Sequence, residues 1–96
     1  MSMDKFLRLM VEKTASDLFI TAGVPPSMKV HGKLGPLNKT VLSAEQAKDI
    51  VYGLMNDRQQ AEFEERKELN FAINATGIGR FRASAFFQRN VAGMVL

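Results

Sequence analysis

From residue 3 to 14, the apolar positions Met3, Phe6, Leu7, Met10 and Val11 fall at i, i+3, i+4, i+7 and i+8. That spacing lines one face of a helix, and Ser2 stands where an N-cap belongs. Ser16 and Asp17 break the pattern. Leu18, Phe19, Ile20 and Thr21 then form a short β-prone run that Gly23 stops. Val24, Pro25 and Pro26 make a stiff connector, because two successive residues lack an N–H donor. Residues 28–34 read as a tight hairpin, with His31 and Gly32 in the place where Asn-Gly is commonest, and Gly35 with Pro36 closes it.

Ser43 followed three residues later by Gln46 is a capping-box signature. The helix it opens carries Ala47, Ile50, Val51, Leu54 and Met55 on one face. Asn56 and Asp57 interrupt it and cap a further helix to about Lys67. Ala61 and Phe63 are almost its only apolar residues, so it reads as a surface helix, with Glu62 and Arg66 in the favourable i, i+4 order. From Leu69 the period becomes two. Leu69, Phe71, Ile73 and Ala75 alternate with Asn70, Ala72 and Asn74. Thr76 and Gly77 turn the chain, and residues 79–88 form another strand. Arg89 and Asn90 begin the turn into residues 93–96. The predicted order, α β β β α α β β β, describes an α+β fold: an antiparallel sheet with helices gathered against one face.

The strand over 79–88 carries the most informative chemistry. Phe81, Ala83, Ala85 and Phe87 face one way, while Arg80, Arg82, Ser84 and Gln88 face the other. Guanidinium groups on a rigid element suit a bidentate grip on phosphate or carboxylate. The plainer reading is a solvated strand face with a surface ion pair.

Composition narrows the classes. The 96 residues suffice for one domain with a modest core, 46% of them hydrophobic and 24% charged. No run is long and apolar enough to span a membrane, and Asp4, Lys5 and Arg8 rule out a signal peptide. With no cysteine there is no disulfide, thiol nucleophile or thiolate metal site. A net charge of +3, spread along the chain, demands neither nucleic acid nor a membrane surface. The chain ends on the apolar run 93–96, which predicts a fragment with a second domain following.

Other candidates weaken on inspection. His31 has no second His or Cys to share a metal, and fits a turn residue tolerating positive φ. Glu62, Glu64, Glu65 and Glu68, mixed with Arg58, Arg66 and Lys67, read as a solvated helix face. Gly77 and Gly79 lack the following helix that a phosphate loop requires. Asp17 reads as a cap or an ion-pair partner. Phe86 is the one aromatic beside the arginines, too few for a base-stacking platform.

Several segments together resemble a known family. They are Ser16 to Thr21 in sequence (Ser, Asp, Leu, Phe, Ile, Thr), then Ala22, Gly23, Val24, Pro25 and Pro26, then Ser27, Met28, Lys29, Val30, His31 and Gly32. Leu54, Met55, Asn56 and Phe71 follow, and last Gly79, Arg80, Phe81, Arg82, Ala83, Ser84, Ala85, Phe86 and Gln88. This succession resembles the opening of the type IV pilus retraction (twitching motility) ATPases, the PilT/PilU family, in a PilU-like form.

The resemblance implies that residues 1–96 are the N-terminal, PAS-like domain of a cytoplasmic, homohexameric secretion-type ATPase whose C-terminal ATPase domain is absent from this chain. It implies packing against its own and a neighbouring ATPase domain, other pilus motor components as partners, and ATP with Mg in the parent. Arg82 first and Arg80 second would reach the nucleotide phosphates, with a further arginine beyond Leu96. The Walker A Lys, the Walker B acid and the catalytic Glu would belong to the absent domain. On this reading the chain alone has no catalytic residue, cofactor, metal, nucleic-acid partner or membrane insertion. Two alternatives stay open: a PAS-like small-ligand sensor and a nucleic-acid-binding module.

Overall fold

The computed structural model describes residues 3–88 and 91–96. The elements follow as α1 (Met3–Glu12), β1 (Asp17–Ile20), β2 (Ser27–Val30), β3 (Lys33–Pro36), α2 (Ala44–Gly53), α3 (Asp57–Arg66), β4 (Glu68–Ala75), β5 (Gly79–Gln88) and β6 (Val91–Val95). This is the expected order. Ser2, Arg89 and Asn90, read above as a cap and a turn, lie outside the described residues.

Local chemistry explains the boundaries. α1 covers its whole apolar pattern but stops two residues short of the predicted span 3–14, because Thr14 takes φ 52°. The Ala15 N–H then reaches back to the Met10 carbonyl at 2.9 Å, a closure that ends helices. α2 opens on the expected capping box: the Gln46 N–H donates to Ser43 Oγ (3.1 Å) and the Ser43 N–H to Gln46 Oε1 (2.9 Å). α3 repeats the device with Asn56 and Gln59, at 2.8 and 3.0 Å. It ends with Lys67 in the left-handed region at φ 64°. His31 and Gly32 both take positive φ, 51° and 79°, as a primed hairpin turn between β2 and β3 requires.

The strands form one six-stranded antiparallel sheet in the order β3-β2-β1-β6-β5-β4. Two hairpin sets, one from each half of the chain, meet at β1 and β6. Reciprocal bonds between Leu18 and Leu96 (3.1 and 2.9 Å) extend that junction. Register puts Leu18, Ile20, Met28, Ala83, Ala85, Ala92, Met94 and Phe71 on one face, all buried. Phe6, Leu7 and Met10 of α1, Ala47 and Val51 of α2 and Phe63 of α3 join the same core. All three helices therefore cover that face, and the other face of the sheet stays open.

Two readings need correction. Val11 lies on the predicted apolar stripe of α1 but is 54% exposed, because the core-facing arc is already filled by Phe6, Leu7 and Met10. α3 is not simply a surface helix, since Phe63 is fully buried. Its ring stacks on Phe87 at 4.4 Å and meets Tyr52 edge-on at 5.9 Å, so one side chain anchors an otherwise polar helix.

Candidate functional site

β5 is an internal strand held on both sides, by β4 over its first eight residues and by β6 from Ser84 to Gln88. Such a strand has little freedom to move, so its side chains are presented at fixed spacing. Phe81, Ala83, Ala85 and Phe87 point to the helices, as the alternation predicts. Arg80, Arg82, Ser84, Phe86 and Gln88 line the open face. Arg80 stands opposite Asn74 and Arg82 opposite Ala72. Both arginines are exposed. Two residues apart on a strand, their Cα atoms lie about 7 Å from each other.

Among the described residues, the surface ion pair of the plainer reading does not form on this strand. Among the described residues the one pair within 4 Å joins Arg66 to Glu62 at 3.5 Å, on α3. Asn74 and Ala72, opposite the arginines, bring no charge, and Ser84 spends its hydroxyl proton on Asn70 Oδ1 at 2.6 Å. The arginine face therefore presents two guanidinium groups whose charge no described carboxylate neutralises. Chemically it can take a phosphate or a carboxylate.

Further along the same face Phe86 lies half-buried over Gly93, where a side chain on residue 93 would meet its ring. With Phe19 and Val95, also half-buried, it makes an apolar centre beside the arginines. Phe86 and Gly93 are sixty and more residues from Phe19 in the chain, and only sheet register brings them together.

The remaining candidates are dispersed. Exposed His31 sits in its hairpin turn. Asp17 is the first residue of β1 rather than a cap; its carboxylate accepts a hydrogen bond from Ser16 at 2.8 Å, and no basic group lies within ion-pair distance among the described residues. The glycines at 77 and 79 shape the β4–β5 turn, closed by the Ile78 N–H on the Ala75 carbonyl.

One feature escaped the sequence. On the helix-covered side, a groove of about 520 Å³ runs between α2, α3 and the sheet, lined by Lys48, Tyr52, Glu64, Lys67 and Phe87 among others. Tyr52 donates to Glu64 at 3.1 Å, while the Lys48 and Lys67 ammonium groups sit 5.4 and 5.1 Å from the Tyr52 and Phe87 ring centres. Burial raises the Tyr52 phenol above its ordinary pKa, and the hydrogen bond to Glu64 and that carboxylate's charge push the same way. Lys48 and Tyr52 are neighbours at i, i+4 on α2, but Tyr52 and Glu64 stand twelve residues apart and Lys67 and Phe87 twenty, so those two contacts leave no local signal.

No protein-family model matches this chain. Individual proteins do. Over 96 residues it is 64% identical to the type IV pilus ATPase PilU of Pseudomonas aeruginosa, a match covering 100% of this chain and 25% of that protein. It is 37% identical over 95 residues to the type IV pilus retraction ATPase PilT of the same organism, covering 99% of this chain and 28% of that one. A crystal structure of the pilus retraction motor PilT with bound ADP matches 99% of this chain and 28% of the motor, at 26% identity and a TM-score of 0.90. The chain thus spans about a quarter of the length of the relatives it matches.

Proposed function

Because the chain belongs to the PilT/PilU family of type IV pilus ATPases, we propose that residues 1–96 serve as the N-terminal, PAS-like domain of a pilus retraction motor in which Arg82, with Arg80 beside it, contacts the nucleotide phosphates. The observation that carries this reading is the pair of exposed, unneutralised guanidinium groups on one face of an internal strand. The bound ADP in the PilT structure supports a nucleotide as the ligand of the parent. An arginine placed at the charge that develops in phosphoryl transfer contributes orders of magnitude in rate.

On this proposal the domain hydrolyses nothing by itself. The parent motor is a cytoplasmic homohexamer, and the domain packs against its own and a neighbouring C-terminal ATPase domain. ATP with Mg binds in the cleft between the domains, and the sheet face passes nucleotide-linked movement around the ring to the pilus.

The test is steady-state ATPase activity of the parent protein, wild type beside Arg82→Ala, with the 96-residue chain as control. An active parent, an inert chain and a variant slowed about tenfold or more support the proposal. An active parent indifferent to the change returns Arg82 to a solvated strand face. Lack of activity in folded, nucleotide-loaded parent would favour a sensing or binding module.

A further inference from the structure

The two edges of the sheet are built differently. β3 has four residues, includes Lys33 and Gly35 and ends on Pro36, three features that discourage a further strand. β4 has eight residues with no proline, lysine or glycine, and its only charge, Glu68, sits at one end. It is a long edge with none of the usual guards.

One hydrogen bond fixes the direction of its backbone. The Phe87 N–H donates to the Lys67 carbonyl at 3.0 Å, so Lys67 turns its polar groups toward β5. In an antiparallel ladder alternate residues turn theirs the opposite way. Glu68, Asn70, Ala72 and Asn74 therefore direct N–H and C=O away from β5, and all four are exposed. Among the described residues no backbone group pairs with this side of β4, so the edge offers a row of donors and acceptors to another strand.

We propose that this edge is an interface, and that its occupant is β4 of a second copy of the chain, paired antiparallel across a two-fold axis centred on Ala72. In that register Phe71 meets Ile73 and Leu69 meets Ala75 on the helix side of the sheet. Asn70 meets Asn74 on the open side, and no like charges oppose. Slipping the strand by one residue would set apolar side chains against amides. Three outward-facing pairs exchange about six backbone hydrogen bonds. The contact is self-complementary and closes at two copies. A single strand pair buries less than the roughly 1,200 Å² of standard interfaces, so the dimer dissociates in the range of tens to hundreds of micromolar. This pairing uses the sheet edge rather than the arginine face, and stands whether or not the nucleotide reading holds.

Sedimentation equilibrium of the 96-residue chain from about 10 µM to about 1 mM tests it, with Ala72→Pro, Ala72→Lys and Ala72→Val alongside and circular dichroism confirming folding. Proline at 72 removes an outward N–H and leaves the β5 ladder intact; lysine sets two like charges together on the axis. Wild type and Ala72→Val should dimerise equally in low and in half-molar salt, and both other variants should stay monomeric. Amide exchange at Asn70, Ala72 and Asn74 should slow as concentration rises. If Ala72→Pro fails to fold, Ala72→Lys decides. A wild type monomeric throughout, dimers that persist in a folded Ala72→Lys, loss of the dimer in salt, or growth beyond two copies would each overturn the proposal.

Discussion

Gly93→Ala is expected to destabilise the chain through one side chain, Phe86. A Cβ built on Gly93 would lie 2.8 Å from Phe86 Cε2 and 2.9 Å from Cζ, and 3.3 Å from the Ile20 carbonyl oxygen. Carbon atoms in good contact stand about 3.5–4.0 Å apart, so the ring must move by most of an ångström. Overpacking a fixed ring costs about 1–3 kcal/mol. Phe86 is only half-buried, on the open face, so swinging it outward instead forfeits part of the roughly 1.5–3 kcal/mol that burial of such a side chain contributes. Against either loss, alanine in a strand gains about 0.5–1 kcal/mol over glycine in backbone entropy. The net expectation is a loss of about 1 kcal/mol, or 4–8 °C in Tm for a domain of this size. Urea titration of wild type, Gly93→Ala, Phe86→Ala and the double variant forms the check. The double variant should recover most of the Gly93→Ala loss, giving a coupling of about 1 kcal/mol. A neutral Gly93→Ala, or strictly additive effects, would refute the claim that the ring rests on residue 93.

Other outcomes follow from the same structure. Ser43→Ala and Asn56→Ala should each cost about 1 kcal/mol by urea titration, because each removes the side-chain acceptor for an otherwise orphan helix N–H. Combined, they should add, since the two caps share no partner. Tyr52 is the chain's only tyrosine and no tryptophan is present, so phenolate absorbance reports it alone. Its folded pKa lies above the unfolded value of about 10. The linked stability is therefore fully present below that value and lost as pH rises through the folded pKa. Glu64→Gln should bring the phenol's midpoint down, with burial keeping part of the shift; an unchanged midpoint would show that the carboxylate plays no part.

Much of this protein is local and could be read directly from the chain. The capping box at Ser43, the positive-φ turn at His31 and Gly32, and the alternation that sends Phe81 and Arg82 to opposite faces each depend on residues a few positions apart. The Asn56 and Gln59 box follows the same spacing rule as Ser43 and Gln46. The segment quoted around Ser16 to Gly32 and the strand from Gly79 likewise carried the family, because those residues are met in order along the chain.

What the sequence left open depends on contacts between distant segments. Hairpins predict their own pairing, but nothing local says that β1 should lie against β6, and that junction alone turns two meanders into one sheet. It follows that only the tertiary structure decided which strands are edges. It likewise buried Phe63 under an otherwise polar helix, laid Phe86 on Gly93 and left Val11 outside a core already full. The sequence determined which way each side chain points along its own element; packing determined what it meets, because free energy of burial depends on neighbours that the chain supplies from far away.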